Sequence, residues 1–110
     1  MQTIARIAAA VAAALLWSPV SSAFAGDHPV RQKGNAFSLT ELKVKVGDSV
    51  TFRNEDGHFH NIFSLSEAQS FDLGSFAPGQ AKSVTIGKAG TIEIECAIHP
   101  GMKLRVEATR

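Results

Sequence analysis

The sequence predicts an all-β domain, because short segments of alternating apolar and polar residues are separated by turn residues. Leu42, Val44 and Val46 alternate with charged residues, which is the period-2 pattern of a strand with one solvated face. Turn signals recur roughly every 8 to 12 residues, a spacing typical of antiparallel sandwiches and barrels. No strong helical stripe follows residue 26.

The predicted strands follow one another in chain order. Gly47-Asp48 is a turn signal, and the alternation continues beyond it, so residues 41–53 are predicted to form a hairpin. Ser66–Phe71 could form one irregular turn. Further strands are predicted over residues 60–65, 82–86, 91–96 and around Leu104 and Val106. Most phenylalanines are predicted to be core or half-core residues: Phe37, Phe52, Phe63, Phe71 and Phe76.

Strand parity predicts where the single cysteine points. Ile92, Ile94 and Cys96 share one face of the predicted strand 91–96, and two glutamates occupy the other face. The thiol is therefore expected at the inner end of a strand, just before the chain turns at Pro100-Gly101.

The N-terminal segment, residues 1–25, is predicted to be a cleaved secretory signal peptide. Arg6 provides a basic start, Ile7–Trp17 is an apolar run, and Ala23-Phe24-Ala25 fits a small-residue cleavage site. The run is shorter than the roughly 20 apolar residues of a membrane span. We therefore expect an exported, periplasmic domain of residues 26–110 with no membrane span.

The charge balance argues against nucleic acid as a partner and gives no support for binding to anionic lipid. Removal of residues 1–25 removes Arg6 and no acidic residue, so the mature chain has ten basic and ten acidic residues. A balanced chain without a basic stripe offers no footprint for nucleic acid or for anionic lipid.

The sulfur-containing residues of the predicted mature chain gather at one turn. Cys96 is the only cysteine, so no disulfide can form within the chain, and Met102 is the only methionine after residue 25. His99 lies between them, and His58 and His60 lie upstream at the end of a polar loop. A bound metal would explain an unpaired thiol in an exported protein and would stabilise a small domain.

Two imidazoles, one thiolate and a weak thioether are the donor set of copper that cycles between Cu(II) and Cu(I). Zinc is the main competitor, but structural zinc sites favour paired Cys and His motifs, and the sequence has no Cys-x2-Cys. The sequence therefore predicts one copper ion per chain.

The segments His60-Asn61-Ile62 and Cys96-x2-His99-x2-Met102 resemble those of the cupredoxin family of type 1 blue copper proteins. The likeness covers about residues 30–107 and is greatest to the amicyanin- and plastocyanin-type members. The two-residue gap between His99 and Met102 is similar to that of amicyanins. Glu95 departs from the pattern, because relatives often carry an aromatic residue before the ligand cysteine.

The resemblance implies a Greek-key β-sandwich of about eight strands. It implies that His60, Cys96, His99 and Met102 bind the copper and that Asn61 ties the two ligand-bearing loops together. It also implies that electrons pass through an exposed His99. His58 is then expected to be a solvated loop residue that could bind a stray ion near the site.

The resulting functional hypothesis is an electron shuttle rather than an enzyme, because a saturated metal leaves no position for substrate. The resemblance implies a redox partner such as a c-type cytochrome or a periplasmic dehydrogenase, and we expect a monomer. Apolar residues could form a docking patch around His99: Phe59, Ala97, Ile98 and Pro100.

Two other functions use the same residues. Copper transport or storage needs the same ligands but no reversible redox couple. A Cys-His hydrolase would use Cys96 as nucleophile with His99 or His60 as base, but no oxyanion-hole or orienting-acid pattern is recognisable.

Overall fold

The computed structural model describes residues 25–110, so all but the last residue of the predicted signal peptide, 1–25, lie outside the described part. Eight strands make up the regular structure. They are β1 (Asp27–Gln32), β2 (Glu41–Lys45), β3 (Ser49–Asn54), β4 (His60–Leu65), β5 (Ser70–Phe76), β6 (Ala81–Thr85), β7 (Gly90–Cys96) and β8 (Lys103–Thr109). Residues 25–110 contain no helix that is long and apolar enough to cross a membrane.

The strands form two sheets, which confirms the predicted all-β sandwich. One sheet has the order β1-β3-β6, and the other has the order β2-β8-β7-β4-β5. The turn spacing suggested antiparallel pairing, but two pairs are parallel: β1 runs parallel to β3, and β2 runs parallel to β8. The remaining strand pairs are antiparallel.

The predicted hairpin over residues 41–53 is also wrong. Both of its strands exist, but β2 pairs with β8 whereas β3 pairs with β1 and β6. The turn at Gly47-Asp48 therefore carries the chain from one sheet to the other. Period-2 alternation is the same for a strand that pairs with its neighbour in sequence and for one that crosses to another sheet, so the pattern could not distinguish them.

Two strands were not predicted. The strand β1 lies before the first alternating segment, and β5 begins at Ser70, inside the stretch expected to form an irregular turn. The side chains of β5 alternate poorly between buried and exposed positions, and a register shift between Ile62 and Phe63 disturbs its pairing with β4. A weak alternation of this kind leaves little signal in the sequence.

The core lies between the two sheets and contains the inward-facing positions of both. Ile92 and Ile94 are fully buried and Cys96 is 2% exposed, which confirms the inward direction predicted for the thiol. Phe37, Phe52 and Phe76 are buried, and Phe63 and Phe71 are half-buried, as predicted.

The turn between β2 and β3 is held by one carboxylate. Asp48 Oδ1 accepts a hydrogen bond from the Gly26 backbone amide (2.9 Å), and Oδ2 accepts one from the Lys45 amide (3.0 Å) and lies 2.9 Å from His28 Nε2. These hydrogen bonds, chiefly those from the Gly26 and Lys45 amides, lower the pKa of Asp48 from 3.8 to about 2. The carboxylate thus fastens the start of β1 to the crossing between the sheets.

We expect Asp48→Asn to destabilise the protein at neutral pH and to lose this effect in acid. A carboxyl whose pKa is lower in the folded state stabilises the protein fully above its unfolded pKa, and the stabilisation is lost as pH falls through about 2. Urea unfolding of both proteins from neutral pH down to about pH 2 measures the difference. A difference in unfolding free energy that is constant with pH would contradict this account.

Candidate metal centre

The register between β4 and β7 brings His60 and Cys96 together, although they lie far apart in sequence. Ile62 of β4 pairs with Cys96 at the end of β7, so His60 at the start of β4 lies beside the thiol. The Ala97 amide donates to the Asn61 carbonyl at 2.9 Å and extends the pairing past the end of β7. The two residues thus lie at one end of the larger sheet.

A short connection between β7 and β8 supplies the other two predicted ligands. The Met102 amide donates to the His99 carbonyl at 2.9 Å, and the Cys96 amide donates to the Met102 carbonyl at 3.3 Å. These bonds close residues 97–101 into a tight loop. His99 is half-buried on the loop, and Met102 is 1% exposed at its end.

The distances between donor atoms fit a metal ion. Cys96 Sγ lies 3.7 Å from His60 Nδ1 and 3.8 Å from His99 Nδ1. A trigonal ion with metal–nitrogen and metal–sulfur bonds of about 2.0 and 2.3 Å, as measured for zinc, would separate these atoms by about 3.7 Å. One thiolate and two imidazoles with a nearby methionine are the donor set that suits copper rather than zinc.

The thiol also receives a backbone hydrogen bond. The Asn61 amide lies 3.4 Å from Cys96 Sγ, within the longer range of bonds to sulfur. Together with the bond from Ala97 to the Asn61 carbonyl, this contact joins the two ligand-bearing segments. The resemblance implied such a tie at Asn61, and both of these contacts use the main chain of that residue.

Asp56 orients His60, a role that the sequence analysis did not anticipate. His60 is fully buried, and its Nε2 lies 2.8 Å from Asp56 Oδ2, which leaves Nδ1 toward Cys96. Metal-binding histidines commonly donate their second ring nitrogen to a carboxylate in this way. Burial opposes the ionisation of Asp56, but hydrogen bonds from the Gly34 amide, the His60 ring and the Asn35 amide lower its pKa to about 2.

Asn54 fixes the loop that carries Asp56. Its side-chain oxygen accepts from the Asp56 amide at 2.9 Å, and its nitrogen donates to the carbonyls of His58 (2.8 Å) and Phe76 (3.1 Å). In sequence, residues 54–57 show only a polar loop. The spacing of four residues between Asp56 and His60 was the one signal that could have suggested their contact.

His58 lies beside the other two histidines as well as in the loop position predicted for it. Its side chain is 51% exposed, in agreement with a loop position, and its Nε2 lies 2.6 Å from Asn35 Oδ1. Nevertheless, ring nitrogens of His58, His60 and His99 all lie within 4.8 Å of one another. The rings are 5.0 to 5.3 Å apart between centroids.

The surface beside the cluster is apolar. Phe59 is 53% exposed and Ile98 is 50% exposed, and Ala97 and Pro100 are exposed as well. Ala97, Ile98 and Pro100 share the loop of His99, and the docking patch suggested by the sequence stays a prediction.

The fold and the donor set define a small β-sandwich protein that binds copper. Residues 27–109 match the model of a family described as copper binding proteins, plastocyanin/azurin family. The chain belongs to this family, and copper is its cofactor.

The chain is 28% identical over 108 residues to the methylamine utilization protein MauL of Methylorubrum extorquens, covering 97% of this chain and 95% of that protein. It is 35% identical over 77 residues to amicyanin of Paracoccus denitrificans, a match that covers 64% of this chain and only 56% of that protein. A solved Cu(I) form of an amicyanin mutant is similar with a TM-score of 0.70 and 30% identity, covering 82% of this chain and 94% of that one.

We expect Asp56→Asn to lower copper affinity about 10- to 100-fold, the usual effect of removing a partner that orients a metal-bound histidine. The amide has one oxygen where the carboxylate has two, so it cannot accept from both His60 and the Gly34 amide, which lie on different oxygens of Asp56. Competition with a chelator for Cu(I) measures the affinity. Glu55→Gln is the matched control, because it removes the same charge from the neighbouring residue, whose carboxylate contacts Arg31 and none of the histidines. Equal affinities for the two variants would contradict the role of Asp56.

Proposed function

We propose that this protein is a periplasmic type 1 copper protein that shuttles single electrons, with the metal held by His60, Cys96, His99 and Met102. The observation that carries the proposal is the near-equal distance of 3.7 and 3.8 Å from Cys96 Sγ to the two histidine Nδ1 atoms. Copper bound by such donors supplies one-electron exchange between Cu(II) and Cu(I).

The surroundings of these residues favour electron transfer over catalysis. His60, Cys96 and Met102 are almost completely buried, and the loop of His99 is closed by backbone hydrogen bonds. Four protein donors would fill the coordination sphere of a bound copper ion and leave no position for a substrate. Ligands held in this way move little when the charge of the metal changes. We therefore propose a carrier rather than an enzyme.

The route for the electron is proposed to pass through His99, which reaches the surface within the apolar patch. Exposed Phe59 and Ile98 provide a contact that can form and separate quickly, since a small apolar surface without paired charges holds a partner weakly. A c-type cytochrome or a periplasmic dehydrogenase is the proposed partner. The similarity to amicyanin and to a protein of methylamine utilization supports this class of partner.

The proposed function includes export from the cytoplasm and removal of the N-terminal segment. Residues 1–25 are proposed to direct secretion and to be removed after Ala25, which leaves residues 26–110 as a monomeric domain in the periplasm. A basic n-region, an apolar run and a small-residue cleavage site follow one another in this segment, and this order supports the proposed processing.

Copper transport or storage is the alternative, and the three-histidine group offers it some support. His58, His60 and His99 could hold an ion without the thiol, in a site that is more exposed than the proposed one. Such a site would lack the thiolate that gives blue copper its intense colour, so spectroscopy distinguishes the two.

We expect His60→Gln to abolish the intense visible band of the Cu(II) protein and His58→Gln to preserve it. Only His60 has Nδ1 next to the thiol and Nε2 on a carboxylate, whereas His58 points Nε2 to Asn35. Absorption spectra after addition of Cu(II) measure the band. Loss of colour in His58→Gln with colour retained in His60→Gln would show that His58, and not His60, is the upstream ligand.

We expect the copper protein to exchange electrons rapidly and reversibly with a c-type cytochrome, because the buried ligands need little rearrangement. Stopped-flow mixing in both directions measures the rates. Ile98→Ser should slow the exchange without changing the spectrum, and Leu65→Ser is the control, since Leu65 is an exposed apolar residue at the other end of β4. A blue protein that exchanges electrons only slowly, or in one direction, would favour copper handling.

A further inference from the structure

The amino end of β1 places three residues where a second metal could bind. Cleavage after Ala25, which is part of the proposed function, makes Gly26 the terminal residue and gives it a free amine. His28 is then the third residue of the chain. The segment Gly26-Asp27-His28 thus has an amine, two backbone amides and an imidazole in immediate succession.

These four nitrogens can lie in one plane around a single ion. The amine and the nitrogens of Asp27 and His28 close two five-membered chelate rings, and His28 Nδ1 closes a six-membered ring. Square-planar nitrogen donors are typical of Cu(II) and Ni(II), and copper binds more strongly of the two. Binding transfers the ammonium proton and both amide protons to solvent, and it needs no oxidant or reductant.

Asp48 contacts both the first and the last residue of this segment. One carboxylate oxygen lies 2.9 Å from the Gly26 nitrogen, and the other lies 2.9 Å from His28 Nε2. A carboxylate can only accept, so the neutral ring carries its proton on Nε2 and leaves Nδ1 free to bind a metal. A carboxylate on the second ring nitrogen is also the usual support of a metal-binding histidine.

The location separates this terminus from the proposed copper centre. Gln32, at the far end of β1, pairs with Asn54 beside the ligand loop, whereas His28 pairs with Val50. Four residues of strand correspond to about 13 Å. Within residues 25–110, the two sites share no residue.

Binding at this position disturbs little of the fold. The Ser49 amide donates to the Gly26 carbonyl, and Asp27 pairs with Ser49 as the first rung of the β1–β3 ladder. The first two rungs, Asp27–Ser49 and His28–Val50, have to open when the nitrogen atoms of Asp27 and His28 turn toward a metal. Strand ends open at low cost.

We propose that the processed protein carries a second metal site, a square-planar Cu(II) site formed by the Gly26 amine, the backbone nitrogens of Asp27 and His28, and His28 Nδ1. The site goes beyond the proposed electron-transfer function and rests on that proposal only through cleavage after Ala25. It would give each mature chain a second Cu(II) ion, bound to nitrogen alone.

The test uses the full chain, exported by a bacterial host and purified after processing, with a Cu(II) salt as the probe. Mass spectrometry gives the terminus. We expect Gly26 at the terminus and two Cu(II) ions per chain, one with a thiolate band and one with a nitrogen-only electron paramagnetic resonance spectrum. His28→Gln should lower affinity for the second ion more than about 100-fold, and Asp48→Asn about 10- to 100-fold, as for an outer partner.

Two further variants keep His28 and change only the chelate. Insertion of one alanine between Gly26 and Asp27 moves the imidazole one residue away and should abolish the second site. Asp27→Asn keeps every proposed donor atom and should retain it. Retention of the blue band in each variant shows that the fold is intact.

The outcomes separate this site from the electron-transfer centre. A terminus at Gly26 with no nitrogen-only signal, or a signal that survives the alanine insertion, overturns the second site and leaves the blue centre untouched. A terminus at any other residue overturns it as well. A nitrogen-only signal without a blue band supports the second site and overturns the proposed electron-transfer function.

Discussion

The pairing of β4 with β7 is the interaction on which the metal centre depends. It aligns Ile62 with Cys96 and so places the first residue of one strand beside the last residue of the other. The same end of the sheet holds the β7–β8 loop with His99 and Met102. Backbone hydrogen bonds fix these positions, so the candidate metal centre depends on the pairing of the strands.

A second layer of polar contacts makes the alignment specific. Asn54 holds the loop before β4, Asp56 turns the His60 ring, and the Asn61 amide approaches the thiol. Each of these groups is itself held by hydrogen bonds, so the ring and the thiol have few alternative orientations. Rigid ligands suit a metal that must change charge without a large change in geometry. A protein that only takes up and releases copper does not need ligands that are held so rigidly.

Short sequence motifs indicated most of the residues that the structure brings together in the candidate site. Cys96, His99 and Met102 fall within one turn, and strand parity alone directed the thiol to the interior, where it is 2% exposed. Pairing between strands was harder to predict. Alternation at residues 41–53 indicated two strands but could not show that they belong to different sheets. Asp56 was missed because its role depends on the folded path of its loop, which residue types alone do not specify.

The central claim is that the fold presents the copper ligands in advance, and a pair of crystal structures tests it most directly. The copper-free and Cu(II)-loaded proteins should superpose closely, with the distances from Cys96 Sγ to His60 Nδ1 and His99 Nδ1 still near 3.7 and 3.8 Å and the metal between them. Copper held by His58, His60 and His99 away from the thiol would contradict the claim, as would a thiol that moves to a new position when copper binds.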